Sequence, residues 1–174
     1  MAPMRVLLSL GGNVGDRLTR LREAVSMLAR HEGIRLITVS SCYETEPMGI
    51  VDQPAFLNLA VEIETAMEPL ELLNTVKDIE REIGREPATR WGPRVIDIDI
   101  ILWGRCVMES CVLTIPHPAF RHRAFVLAPL AEIAPNAVDP ETGKTVSALA
   151  ACPEAAGAVA LYAPAAAFRD ALNI

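Results

Sequence analysis

Apolar and polar residues along this chain alternate with a period of two in some stretches and recur every three to four residues in others, and the two rhythms divide it into elements. Val6, Leu8 and Leu10 alternate through a first strand that runs into Gly11-Gly12-Asn13, read here as a turn needing permissive backbone angles. Asp16 then caps a helix in which Leu18, Leu21, Val25 and Leu28 keep the helical period, with Gly33 just past its end. Ile34 to Tyr43 reads as a second strand and Phe56 to Thr65 as a third, with a long loop, Glu44 to Pro54, between them. Pro69 opens a second helix with Leu72, Val76, Ile79 and Ile83 as its apolar stripe up to Gly84. A last strand spans Ile96 to Leu102. The order strand, helix, strand, strand, helix, strand predicts an α+β fold of ferredoxin-like βαββαβ type, an antiparallel sheet with both helices on one face.

Beyond Trp103-Gly104 the pattern weakens to short extended pieces around Val107 and Val112 to Ile115, and a turn at Asp139-Pro140-Glu141-Thr142-Gly143. Residues 1–150 are expected to form one domain. Residues 151–174 are expected to be an Ala-rich tail that packs on it as a short helix through Leu161, Phe168 and Leu172.

The strand from Ile96 to Leu102 carries the strongest chemical signal. Ile96, Ile98, Ile100 and Leu102 are expected on one face, with Asp97, Asp99 and Ile101 on the other. At about 3.3 Å of rise per residue the two acids start about 6.6 Å apart and point the same way. Like charges so placed repel, and Asp is a poor strand former, so the pair asks for a cation. Ligation by oxygen alone favours magnesium or manganese, and magnesium is commonly held by one or two carboxylates plus substrate phosphates. Arg90 and Arg94, just upstream, have the planar fork that suits phosphate oxygens, and Gly92-Pro93 makes a turn between them. The alternative for Asp-Ile-Asp alone is a solvated acidic strand edge beside a basic loop. The prefix Arg-Trp-Gly-Pro-Arg moves the balance toward a phosphate and metal site.

The third strand is informative in the same way. Leu57, Leu59, Val61 and Ile63 make its packed face, while Phe56, Asn58, Ala60 and Glu62 look the other way. Phe56 could stack on a flat heterocycle that Asn58 hydrogen-bonds, although a cross-strand aromatic contact beside a solvated Asn is the commoner arrangement when this strand is taken alone. In the predicted topology the helix-free face carries Phe56, Asn58, Asp97 and Asp99 together. A second cationic and aromatic cluster follows at His117, Arg121, His122, Arg123 and Phe125. The turn at Gly11-Gly12 lacks both the Walker lysine and the G-x-G-x-x-G spacing, so it reads as structure rather than a phosphate cradle.

Composition narrows the ligand. A chain of 174 residues is one domain with room for a sizeable core, and its formal charge of −6 argues against a nucleic-acid partner. Arg81, Arg85, Arg90 and Arg94 cluster beside the acids, which suits a small anion better than a polymer. The four cysteines, Cys42, Cys106, Cys111 and Cys152, have no zinc-like spacing and read as reduced thiols of a cytoplasmic protein. The apolar run after Met1-Ala2-Pro3-Met4-Arg5 is too short for a signal segment, and Ala148 to Phe168 is broken by Pro153, Glu154 and Pro164, so no membrane association is expected.

Five ordered motifs carry a family resemblance. They are Leu10-Gly11-Gly12-Asn13, Gln53-Pro54-Ala55-Phe56-Leu57-Asn58, Gly84-Arg85, the block from Arg90 to Leu102, and Pro116-His117-Pro118 through Arg123-Ala124-Phe125. In these the chain resembles the 6-hydroxymethyl-7,8-dihydropterin pyrophosphokinases of folate biosynthesis, which transfer diphosphate from ATP to a pterin alcohol. The resemblance implies two magnesium ions bridged by Asp97 and Asp99, ATP as co-substrate, and catalytic roles for Arg85, Arg94, Asp97 and Asp99. It implies a pterin held by Phe56, Phe125, Asn58, Thr45 and Met48. It implies a nucleotide held by Arg85, Arg94, His117, Arg121 and Arg123, framed by Glu80, Trp91, Ile100 and Thr114. A monomer acting on small molecules is expected. Two departures stand out: Gly12 where the family usually has Ser, read as a change in a turn, and Glu86-Pro87 where many relatives carry a further basic residue.

Two other classes fit parts of the pattern. A palm-type nucleotidyl transferase would place two Asp on a strand but leave the Phe56/Asn58 platform and the His117 cluster unexplained. A regulatory or RNA-binding ferredoxin-like module would need neither the acid pair nor a metal.

Overall fold

The computed structural model describes residues 2–86, 92–155 and 157–172, with Ala171 and Leu172 as backbone only. The elements run β1 (Met4–Gly12), α1 (Arg17–Arg30), β2 (Ile34–Val39), β3 (Cys42–Thr45), β4 (Phe56–Thr65), α2 (Pro69–Ile83) and β5 (Asp97–Trp103). There follow a small hairpin, β6 (Met108–Glu109) and β7 (Thr114–Ile115), then α3 (Ala124–Ile133), α4 (Val146–Ala150), β8 (Val159–Ala163) and α5 (Arg169–Leu172). The main sheet is antiparallel in the order β5-β1-β4-β3-β8, with β2 also paired to β4. The stretch expected as one second strand is therefore two, β2 and β3, both laid along β4.

Period-two alternation sorts the sheet's side chains into two cores. On one face Val6, Leu8, Leu10, Leu57, Leu59, Val61, Ile63, Ile96, Ile98 and Ile100 pack against the apolar stripes of α1 and α2. Asp16 caps α1 by accepting from the Thr19 backbone N–H, and Gly84, in the left-handed region at φ 106, closes α2.

The opposite face is not bare. Leu7, Ala60, Ile101 and Leu102 pack there under Phe120, α3 and α4 in a second core. Leu102 was expected beside Ile100, and a register shift corrects this. Leu7 pairs with Leu102 while Leu8 pairs with Ile100, so β5 bulges and turns Ile101 and Leu102 to the same side, and Trp103 resumes the first face. The second core covers one end of this face and leaves open the end where β1, β4 and β5 carry Ser9, Gly11, Phe56, Asn58, Asp97 and Asp99.

Gly11 and Gly12 are strand residues, not the expected turn. Gly11 pairs with Asn58 on one side and Asp97 on the other. A Cβ on Gly11 would lie 2.5 Å from Asn58 Oδ1, and one on Gly12 would lie 2.3 Å from the Val95 carbonyl oxygen. The pair is there for close approach, and the departure at Gly12 bears on how tightly the Arg94–Val95 backbone lies against β1.

The C-terminal segment also differs from expectation. Leu161 lies on β8 and is exposed, not buried under a helix, because β8 pairs with β3 and extends the sheet by one strand. Phe168 does reach the first core, while the Leu172 side chain lies outside the described residues.

Candidate active site

The open end of the second face is a cleft of about 270 Å³ lined by Ser9, Gly11, Thr45, Glu46, Met48, Phe56, Asn58, Gly92, Arg94, Asp97, Asp99, Arg123 and Phe125. Each strand contributes alternate residues. Asp97 and Asp99 come from β5, Ser9 and Gly11 from β1, Phe56 and Asn58 from β4, and Thr45 from the end of β3. Arg123 and Phe125 come from the start of α3, with the Arg123 guanidinium 5.7 Å from the centre of the Phe125 ring.

Asn58 is buried, and its Nδ2 donates to Thr45 Oγ1 at 2.9 Å. That bond fixes the amide's orientation and turns its Oδ1 toward Gly11. The cleft thus has one aromatic and amide end. Its other end is ionic: Arg85 Nη2 stands 2.9 Å from Asp97 Oδ1, and Arg94 Nε stands 3.8 Å from Asp97 Oδ2.

Glu80 organises this second end from beneath. It is 1% exposed, accepts from the Ile98 backbone N–H at 2.6 Å and from Lys77 Nζ at 2.9 Å, and also pairs with Arg85. It thereby satisfies an outward backbone donor on edge strand β5 and aims Arg85 at Asp97. Burial opposes the charge on Arg85, but Asp97 and Glu80 outweigh it and hold the guanidinium above its ordinary value.

Burial, then the neighbouring charge of Asp99, push the Asp97 carboxyl up to about 6, against the pull of Arg85. The sign follows from linkage. A carboxyl whose folded value is raised contributes stability below the unfolded value near 3.8, and that contribution is lost as pH rises through about 6. Asp97→Asn is therefore expected to raise the thermal midpoint of the ligand-free protein at pH 7.5, a gain that shrinks below pH 6 and vanishes near pH 4. Thermal scans across that range check it, and an equal or lower midpoint at pH 7.5 would contradict it.

His117 sits beside this end. Its Nδ1 accepts from the Ala119 backbone N–H at 3.2 Å, and its backbone N–H donates to the Ile101 carbonyl at 3.0 Å. Burial lowers its pKa against the pull of Asp99, which favours a neutral ring with its proton on Nε2.

Of the residues singled out from the sequence, Thr45, Met48, Phe56, Asn58, Arg94, Asp97, Asp99, Arg123 and Phe125 share the cleft wall. Arg85 and Glu80 stand behind it. Ile100 packs in the first core, and Thr114 lies on β7, paired with Glu109. The Arg121 guanidinium grips buried Asp139 at 2.6 and 2.8 Å and Glu141 at 2.5 Å, an ion-pair network outside the cleft wall. Pro87, Arg90 and Trp91 lie outside the described residues. Arg85 and Arg94, on either side of them, converge on the Asp97 carboxylate. Ser9 and Glu46 also line the cleft without a sequence reading, and Gly11 and Gly92, read as turn residues, line it too. For Ser9 and Gly11 a signal existed: they alternate with Leu8 and Leu10, which puts them on the face of the acids.

Among the described residues no three His, Cys, Asp or Glu side chains gather into a metal cage, and the cleft lining carries the carboxylates of Asp97 and Asp99, paired on β5, and of Glu46. No helix among them is long and apolar enough to cross a membrane.

The chain is similar to known proteins over most of its length. The family model of 7,8-dihydro-6-hydroxymethylpterin-pyrophosphokinase matches residues 7–135. The chain is 52% identical over 126 residues to the 2-amino-4-hydroxy-6-hydroxymethyldihydropteridine pyrophosphokinase of Bacillus subtilis, covering 72% of this chain and 75% of that one. It is 44% identical over 140 residues to the Synechocystis enzyme of the same name, covering 80% of this chain and 71% of that one. The HPPK-DHPS protein of Plasmodium falciparum, crystallised with pteroate, matches in fold with a TM-score of 0.69 at 18% identity, over 85% of this chain and 42% of that one. With the family model spanning β1 to the end of α3 and both ends of the cleft inside it, this chain belongs to the 7,8-dihydro-6-hydroxymethylpterin-pyrophosphokinase family.

Proposed function

We propose that the cleft performs the pyrophosphokinase activity of its family by holding a pterin at the Phe56/Asn58/Phe125 end and the ATP phosphates at the arginine and aspartate end. The activity is ATP-dependent transfer of diphosphate to the hydroxymethyl group of 6-hydroxymethyl-7,8-dihydropterin in folate synthesis. One observation carries the assignment of roles: a ring-binding end and a phosphate-binding end open into one cleft and are joined through Gly11, whose strand neighbours are Asn58 and Asp97. The strand order β5-β1-β4-β3 likewise supports reading the core as ferredoxin-like, with β8 as an added edge strand.

In this reading Phe56 and Phe125 stack on the pterin faces, while Asn58 Oδ1 and the backbone near Thr45 and Met48 meet its polar edge. Arg94 and Arg123 line the phosphate end, Arg85 reaches it from behind, and neutral His117 offers an Nε2–H. The paired carboxylates of Asp97 and Asp99 fit magnesium, which fills most of its shell with phosphate oxygens and water and would neutralise phosphate charge when bound. The substrate's hydroxymethyl oxygen attacks the β-phosphorus in line, and AMP leaves. The chain's part is to fix that line of approach and to match charge as it shifts.

Phe56→Ala and Phe125→Ala are each expected to weaken pterin binding by about 1–3 kcal/mol, the range for a ring stacked on an aromatic side chain, with ATP affinity nearly unchanged. Calorimetry with each ligand separately tests this. Equal losses for pterin and ATP would contradict the assignment of the two ends.

A further inference from the structure

Asn13, one residue past the end of β1, has no part in that assignment of roles. It is 2% exposed, and its side-chain amide and backbone N–H are engaged with two loops that flank the cleft. Its Nδ2 donates to Gln53 Oε1 at 3.1 Å and to the Pro54 carbonyl at 2.9 Å, two residues before Phe56. Its Oδ1 accepts from the Arg94 backbone N–H at 2.8 Å, and its own backbone N–H donates to the Arg94 carbonyl at 2.8 Å. Gln53 Nε2 in turn donates to the Ile50 carbonyl at 2.8 Å, which extends the chain of bonds toward the loop that bears Met48.

We infer that Asn13 is a positioning residue that couples the pterin wall of the cleft to the phosphate-binding Arg94. The site-role reading above is assumed here. A carboxamide is the short side chain that presents a donor pair and an acceptor on one planar head. Alanine would leave the Pro54 carbonyl and the Arg94 N–H without their partner, so each loop would relax independently. Aspartate would keep the acceptor for Arg94 and lose the donors for Gln53 and Pro54. The coupling matters because in-line transfer requires the pterin oxygen and the β-phosphorus to be set against each other, and a misplacement of about 1 Å can cost about 10²-fold in rate.

The test uses the full chain, with ATP and pterin affinities from calorimetry and kcat at a temperature where circular dichroism shows each variant folded. Asn13→Ala is expected to lower kcat about ten- to hundredfold and pterin affinity about tenfold, with ATP affinity within about threefold. Asn13→Asp and Gln53→Ala, which disturb chiefly the pterin side, are expected to weaken pterin binding with a smaller loss of kcat. A purely structural role would lower the midpoint of unfolding without separating pterin from ATP. The inference is overturned if folded Asn13→Ala keeps kcat and pterin affinity within twofold of wild type. If Asn13→Ala does not fold, unchanged pterin affinity in Gln53→Ala overturns it. Wild-type AMP production is measured first: its absence would defeat the functional reading, while the pterin affinities still decide the coupling.

Discussion

Replacing Asp97 or Asp99 with Asn is expected to remove turnover while leaving the fold intact. Both carboxylates project into the cleft, whereas β5 is held by Ile96, Ile98 and Ile100 in the first core and by pairing with β1. The amide is nearly the same size as the carboxylate, so packing does not change. What changes is charge at the end of the cleft proposed to hold the ATP phosphates. Losing one well-placed electrostatic contact to a reacting group costs about 10²–10³-fold in rate, and a carboxylate that also holds a cation should cost at least that. For Asp97 the same substitution should stabilise the ligand-free protein at neutral pH, because the native carboxylate is buried beside Asp99. A variant that is more stable and inactive is what a site held against the preference of the fold predicts. Activity within a few-fold of wild type in either variant would remove both acids from the mechanism.

The second large effect is expected at Arg94. Its backbone is fixed by Asn13 through bonds in both directions, while its guanidinium lines the cleft 3.8 Å from Asp97. That separation is longer than a hydrogen-bonded pair, so a phosphate can compete for the same fork. If the full contact forms as the transferring group moves, Arg94→Ala should lower kcat by about 10²-fold and change ATP affinity by only a few-fold. Steady-state kinetics together with nucleotide titration separate the two. A raised KM with kcat unchanged would mean that Arg94 binds the ground state alone.

These residues were legible because a strand repeats every two residues. Asp97 and Asp99 on β5, and Phe56 and Asn58 on β4, alternate with Ile and Leu, and the sheet does bring those two polar rows to one face. Long-range pairing was less legible. The bulge that turns Leu102 away from Ile100 arises from how β5 meets β1, and nothing in Ile100-Ile101-Leu102-Trp103 encodes it locally. Gly11 and Gly12 looked like a turn because glycine suits turns, but the nearness of Asn58 and Val95 is what requires them, and both lie more than forty positions away. The nucleotide role of Arg121 came from the resemblance, and its ion pairs with Asp139 and Glu141 depend on a later turn folding back. Leu161 falls on a strand because β3 presents an edge for it to pair with.

If one cleft joins ATP to a reduced pterin by moving two phosphates at once, the protein incubated with ATP, magnesium and 6-hydroxymethyl-7,8-dihydropterin, with nucleotide and pterin products followed together, is expected to give pterin-dependent AMP, formed one for one with pterin diphosphate. Nucleotide release independent of the pterin, or free pyrophosphate in place of the pterin diphosphate, would contradict it.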